Sequence, residues 1–220
     1  MRKIILFDLD GTLTDPMEGI TKSVQHALKA YGIIEEDLTK LCPFIGPPLK
    51  DSFMEFYGFS EKDGKEAISV FHEYFTARGM FENKVYDGME DMLTALKEAG
   101  YVLAVATSKP ECFAMQILEH FKLDSYFEVV GGADMEEIRV RKGDVIKYTL
   151  DRLAFKDGEQ IVMVGDRKHD ILGAKEAGLQ SIGVLYGYGD REEFMEAGAD
   201  YIVETVGELE AFLLHEYFQQ

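Results

Sequence analysis

Cysteine is scarce: Cys42 and Cys112 are the only two in 220 residues, and they form neither a CxxC pair nor a zinc-ligand spacing. That excludes a disulfide framework and a zinc ribbon, and points to a reducing compartment. Basic charge is also short. Lys and Arg number 23 against 41 Asp and Glu, for a formal charge of −18. A nucleic-acid polymer or an anionic membrane is therefore a poor partner, because both demand clustered basic side chains. Long apolar runs are missing too. Runs such as Tyr101 to Ala106 fall far short of the roughly 20 residues a spanning helix needs. The opening Met1-Arg2-Lys3-Ile4-Ile5-Leu6-Phe7 mimics a secretory leader until Asp8 breaks it, so a cytoplasmic protein is expected. Neither a Walker loop nor a GxGxxG is present, which removes the usual signatures of nucleotide triphosphate and dinucleotide binding. HExxH fails because Thr76 stands where the second histidine after His72 would be.

What is present is ordinary globular composition, 46% hydrophobic and 29% charged, in a chain long enough to bury a core without staples. Three amphipathic stretches end alike, in Lys97-Glu98-Ala99-Gly100, Lys175-Glu176-Ala177-Gly178 and Met195-Glu196-Ala197-Gly198. Glycine at these points accepts the left-handed conformation that closes a helix. An apolar segment follows each: Tyr101 to Ala106, Ser181 to Leu185, Tyr201 to Val203. Lys3 to Phe7 and Ile161 to Val164 read the same way. Unbroken rather than alternating apolarity suits strands buried on both faces of a parallel sheet. Between them, Met89, Met92, Leu93 and Leu96, then Ala114, Ile117, Leu118 and Phe121, then Val145, Ile146, Thr149, Leu150 and Leu153 recur at helical spacing. The expected fold is α/β, an open doubly wound parallel sheet.

From Asp15 to about Asn83 the alternation stops and only helical patterns appear. Asp15 as N-cap, Pro16 at the first helical position and Glu18 as capping-box partner predict one helix start. Ile20, Val24, Ala27, Leu28 and Tyr31 continue it to Gly32. Leu49 to Tyr57 predicts another helix, and Ile68, Phe71 and Phe75 a further one. The expected organisation is a core of residues 1–14 and 84–220, with a smaller all-helical cap of residues 15–83 inserted after the first strand and Asp87-Gly88 as its return hinge.

Ligands of open α/β sheets bind at the carboxyl ends of the strands. The first strand ends in Asp8-Leu9-Asp10-Gly11-Thr12, the second in Thr107-Ser108-Lys109, a later one in Gly165-Asp166-Arg167-Lys168-His169-Asp170. Such an oxygen-rich edge is how a hard cation such as Mg²⁺ is held. An EF-hand is excluded, since Gly11 is fourth and Gly19 twelfth counted from Asp8. Asp8 and Asp10 as idle turn carboxylates is the plain alternative, but buried unpaired carboxylates are costly. A chance DxDGT in a chain this long is on the order of a few in a thousand.

Asp8-Leu9-Asp10-Gly11-Thr12 resembles the first motif of the haloacid dehalogenase superfamily, Thr107 its second, Lys142 its third, and Gly165-Asp166 with Asp170 its fourth. The helical block resembles the cap of the phosphoglycolate phosphatase-like branch. Phe44-Ile45-Gly46-Pro47-Pro48-Leu49 and Arg141-Lys142 resemble a bacterial group named phosphoglycolate phosphatase or 5′-nucleotidase-like. The resemblance implies a Mg²⁺-dependent phosphomonoesterase acting on a small phosphorylated metabolite through an aspartyl-phosphate, as a monomer or weak homodimer. It implies Asp8 as nucleophile, Asp10 as acid and base, and metal held by Asp8, Asp10 (through its backbone carbonyl), Asp166 and Asp170. Thr107 and Lys142 would hold and balance the phosphoryl group, and Ser108 and Lys109 would support it. Phe44, Gly46 and Lys50 would meet the leaving group, with Arg78 a further candidate. Mg²⁺ and Lys142 would then admit an anion into an acidic protein. Against Lys142 stand Arg139 and Arg141 nearby, against Lys109 plain solvation, against Phe44 and Ile45 a place in the cap's own core, against Asp166 helix capping, and against Asp170 a surface charge. His169 reads as a loop histidine. The rival functions are a phosphosugar mutase or other phosphotransferase of the same superfamily, and a non-enzymatic relative that binds a phosphorylated ligand.

Overall fold

The computed structural model describes residues 2–135, 138–156 and 158–219. In chain order its strands are β1 (Lys3–Phe7), β2 (Thr14–Asp15), β3 (Lys84–Val85), β4 (Val102–Pro110), β5 (Val129–Ala133), β6 (Gln160–Gly165), β7 (Gln180–Val184) and β8 (Tyr201–Val203). Its helices are α1 (Met17–Ala30), α2 (Leu49–Tyr57), α3 (Glu61–Ala77), α4 (Met89–Glu98), α5 (Glu111–His120), α6 (Lys142–Arg152), α7 (Lys168–Glu176), α8 (Arg191–Ala197) and α9 (Val206–His215). No helix among the described residues is long and apolar enough to cross a membrane. The chain forms two units, Met1–Thr14 with Val85–Gln220, and Asp15–Lys84.

Six strands of the first unit form one parallel sheet in the order β5-β4-β1-β6-β7-β8. At its centre Ile5 of β1 lies between Leu103 of β4 and Val162 of β6. Ile4, Leu6, Ala104, Ala106 and Met163 bury one face against Val145, Ile146 and Leu150 of α6. Their strand neighbours Ile5, Phe7, Leu103, Val105, Val162 and Val164 are buried as well, which places them on the opposite face. Both faces being apolar is why these segments lack polar alternation. Each fully buried aliphatic side chain contributes about 1.5–3 kcal/mol. The expected α/β class and doubly wound sheet are what the chain adopts, and Gly100, Gly178 and Gly198 all have positive φ where helices were expected to close.

Two strand expectations change. The second strand runs on through Pro110, past Ala106. The sheet also has a sixth member, β5, whose Val129-Val130-Gly131-Gly132-Ala133 is too glycine-rich to read as an apolar run. Those glycines are where helices approach: a Cβ on Gly131 would overlap the Thr149 hydroxyl of α6, and one on Gly132 the backbone of Glu111. Gly131→Val is expected to cost about 1–3 kcal/mol through overpacking. Urea denaturation checks this as a lowered midpoint with unchanged slope.

The second unit is helical apart from its first and last residues, Asp15 of β2 and Lys84 of β3. Phe44 lies against the rings of Phe53, Phe56 and Tyr57, with centroids 5.0, 5.4 and 6.0 Å apart, and Phe53 stacks on Phe59. Ile45, Ala67, Phe71 and Phe75 are buried with them. The expected capping box at α1 is not formed. The helix starts one residue later, at Met17, whose amide donates to Asp15 Oδ1 at 3.0 Å. Glu18 instead pairs with Lys22 one turn on, at 2.6 Å, the favoured order for such a pair.

Candidate active site

The connection leaving β1 runs to β4 on one side, and that leaving β6 runs to β7 on the other. The carboxyl ends of β1 and β6 thus flank the switch point of the sheet, where a crevice forms in doubly wound folds. Asp8 follows β1 and Asp166 follows β6. The Asp8 amide donates to Val164 O at 2.9 Å, so the ladder runs one residue past the strand and fixes the backbone that carries the carboxylate. Beyond it the chain turns sharply: Gly11 N donates to Thr14 O (2.7 Å), and Leu13 and Thr14 amides both donate to Leu9 O. Gly11 has φ +82°, and a Cβ there would overlap the Asp166 carboxylate. No other residue fits at that position without moving an acid.

Asp8, Asp166 and Asp170 are all buried, and one oxygen of each lies within 4.8 Å of the others. Asp166 is held from two sides: Tyr188 N donates to Oδ2 (2.9 Å) and Thr12 Oγ1 to Oδ1 (3.3 Å). It does not cap α7, whose N-cap is Arg167. Asp170 sits in the first turn of α7, where its Oδ2 accepts from the Arg167 amide at 3.0 Å. Its surface-charge alternative is ruled out, since it is 1% exposed. His169 lies on the same helical turn rather than in a loop, and burial followed by the nearby Arg167 lowers its basicity.

Lys142 opens α6 with a buried side chain. Its Nζ meets Asp8 Oδ1 at 2.9 Å and Asp170 Oδ1 at 2.7 Å, and donates to Ala106 O at 3.1 Å. Neither arginine near it is an equivalent: Arg141 is exposed and pairs with Glu176, while Arg139 covers the Tyr148 ring. On β4 the pairing with β5 slips, Ala106 opposite Gly131 but Pro110 opposite Ala133, so two extra residues bulge out of the ladder. Thr107, Ser108 and Lys109 occupy that bulge. Thr107 is buried and its Oγ1 accepts from the Lys109 amide at 3.2 Å. Lys109 is not solvated: its side chain is 7% exposed and its Nζ ion-pairs with Asp10 Oδ2.

Four buried carboxyl groups thus face two ammonium groups, more acids than cations in one place. Burial raises the Asp166 carboxyl well above its usual range, and Asp170 and Asp8 add to it. Burial also raises Asp170, to about 6 despite Lys142, and raises Asp10 against the pull of Lys109. Burial alone would depress Lys142, but Asp170 and Asp8 together hold it above its ordinary value. An all-oxygen donor set with surplus negative charge fits a hard divalent cation. Asp8, Asp166 and Asp170 could hold one.

Asp8, Lys142, Asp166 and Asp170 form one cluster, and Asp10, Lys109 and Thr107 a second set of contacts that the two-residue step from Asp8 to Asp10 joins to it. The expected residues of the helical unit are described within that unit. Phe44 is 2% exposed in that unit's aromatic core, Gly46 is half-buried, and Lys50 reaches Glu61 at 3.9 Å. Arg78 is exposed. Sequence reasoning missed Thr12 and Tyr188 as holders of Asp166. Thr12 stood inside a recognised motif, but the backbone donor of Tyr188 has no side-chain signature.

A family model described as haloacid dehalogenase-like hydrolase matches residues 5–184. A protein of Pseudomonas aeruginosa named 5′-nucleotidase is 48% identical over 189 residues, 86% of this chain and 85% of that one. A protein of Mycobacterium tuberculosis named tyrosine-protein kinase PtkA is 39% identical over 212 residues, covering 94% of this chain and 71% of its own. The crystal structure of a predicted phosphatase from Clostridium acetobutylicum superimposes with a TM-score of 0.93 at 51% identity, covering 97% of this chain and 99% of the other.

Proposed function

Since the chain belongs to the haloacid dehalogenase-like hydrolases, we propose that it is a Mg²⁺-dependent phosphomonoesterase acting on a small phosphate ester through an aspartyl-phosphate. The observation that carries this reading is the Asp8, Asp166, Asp170 cluster with Lys142 inside it. Asp8 attacks phosphorus: a bond forms from its carboxylate oxygen while the bond to the ester oxygen breaks. Asp10, two residues on and held by Lys109, gives its proton to the departing oxygen. It then takes a proton from the water that attacks the same phosphorus, breaking the bond to Asp8 and freeing inorganic phosphate. One group serves both halves because it alternates protonation states. Mg²⁺, held by the acids, would draw charge from the phosphoryl group so that a carboxylate can approach an anion. Thr107 and Ser108 hold the phosphoryl oxygens, and Lys142 holds Asp8 in place and balances charge on the transferred group.

A 5′-nucleotide is the leading substrate class, in line with the 48%-identical relative, with 2-phosphoglycolate the alternative. The choice between them is assigned to the helical unit, with Gly46 and Lys50 as its contributors. A second reading, transfer of the phosphoryl group to a hydroxyl other than water's, draws support from the kinase name of the Mycobacterium tuberculosis relative.

Phosphate release tests the reaction, with nucleoside monophosphates, 2-phosphoglycolate and hexose phosphates each assayed in Mg²⁺ and in chelator. Metal-dependent release is expected, and in Asp166→Ala the Mg²⁺ needed for half-maximal rate rises about 10-fold or more. An unchanged Mg²⁺ titration in that variant removes Asp166 as a ligand. Phosphate appearing on an added hydroxyl compound instead of in solution favours the transferase.

A further inference from the structure

We propose that the loop following β7, residues 185–189, is a positioning element for the acidic cluster, and that the Tyr186 hydroxyl is its operative contact. Three observations converge on this loop. Tyr186 OH donates to the Thr12 carbonyl oxygen at 3.0 Å, a contact spanning 174 residues of sequence. Tyr188 N donates to Asp166 Oδ2 at 2.9 Å. Between them, Gly187 runs so close that a Cβ would overlap both the Asp166 side chain and Gly11 O, and one on Gly189 would overlap Asp166 O. A single loop therefore touches both strand ends that carry the acids.

Thr12 is the point where the two halves meet. Its hydroxyl donates to Asp166 Oδ1 and its carbonyl is gripped by Tyr186, while its amide donates to Leu9 O at 3.2 Å inside the turn that carries Asp10. Fixing the Thr12 peptide plane fixes the direction of its hydroxyl and the end of the turn at the same time. Without the tyrosine hydroxyl, that peptide keeps only the Leu13 amide bond to Leu9 O at 2.9 Å, and the Thr12–Asp166 contact loosens. The Tyr186 ring is itself braced by the edge of Tyr86, 5.0 Å away at 66°. Second-sphere contacts of this kind commonly set metal affinity through ligand orientation. Tyr186 touches no reacting atom; it acts through Thr12 and Asp166, so it is a positioning residue.

The inference rests on the reading of Asp8, Asp166 and Asp170 as a Mg²⁺ site, and its test separates the two. Mg²⁺ alone is titrated calorimetrically into the full chain, for wild type, Tyr186→Phe and Tyr217→Phe. Tyr217 is the control: its hydroxyl also meets a backbone carbonyl, Ile161 O at 3.3 Å, together with Gln180 Oε1 at 2.9 Å, but near the other end of the sheet. Tyr186→Phe is expected to raise the Mg²⁺ Kd about 10-fold and to lower kcat with KM little changed, while Tyr217→Phe leaves Kd alone. Tyr86→Leu, which keeps the hydroxyl but removes its brace, is expected to shift Kd in the same sense by less. Equal Kd values for wild type and Tyr186→Phe overturn the positioning role, as does an equal loss in Tyr217→Phe, which would mark a general effect of lost stability. Wild type that takes up no Mg²⁺ overturns the metal reading itself, and the inference with it.

Discussion

Asp8→Asn loses phosphate release by about 10⁴-fold or more, the scale on which removing a nucleophile acts when no neighbour can replace it. The amide keeps the size and the backbone of Asp8, whose N–H is locked to Val164 O. It lacks the carboxylate that, in the proposed mechanism, attacks phosphorus. Asp10 cannot substitute, because its carboxylate is turned to Lys109. The fold is expected to survive intact and even to gain: the variant removes one of four buried acids that face two ammonium groups, while Asp170 still faces Lys142. Thermal unfolding in chelator should therefore show Asp8→Asn at least as stable as wild type, the trade of stability for function common at active sites. Activity within a factor of ten of wild type would remove Asp8 as nucleophile, and a large fall in stability would show that it is held for structure.

How much of this site reads from the chain depends on how local each contact is. Asp8 and Asp10 stand two residues apart at a strand end, and a dense local pattern of acids, glycine and threonine survives without any tertiary knowledge. Lys109 is different. Its sequence neighbourhood allows a solvated lysine equally, and only the bulge on β4, set by pairing with a strand of two glycines, turns it onto Asp10. That strand was itself invisible for the same reason: Gly131 and Gly132 serve the approach of α6 and α5, so they lower the very apolarity by which a strand is recognised. Asp15 fails in the opposite direction. The Asp-Pro-x-Glu spelling suits a capping box, yet Glu18 finds Lys22 one turn along the helix, and a direct ion pair outcompetes a return to the backbone. Tyr186 and Tyr188 lie more than 170 residues from the turn after β1, and nothing local distinguishes them from other tyrosines.

Replacing Lys142 by methionine is expected to destabilise the metal-free protein by about 3–5 kcal/mol, the range seen when one partner of a buried ion pair is removed. Methionine preserves the apolar stem, which packs beside Gly173 of α7, so the change isolates the charge. Asp8 and Asp170 then face each other with no cation, and Ala106 O loses its donor. The pH dependence has a definite sign. Asp170 already titrates near 6 with Lys142 in place, above its ordinary 3.8, because it is buried. Between those values the folded state holds more protons than the unfolded one, so stability falls as pH rises through that window. Removing the ammonium moves the folded value higher still and extends the fall upward. Urea midpoints should thus separate wild type from Lys142→Met little at pH 4 and widely at pH 8. Adding Asp170→Asn to Lys142→Met relieves the repulsion and should recover part of the loss at pH 8 with no return of activity, because the group that holds Asp8 is still missing. A loss independent of pH, or a double variant no more stable than the single one, would mean that Lys142 stabilises the site by packing and not by its charge.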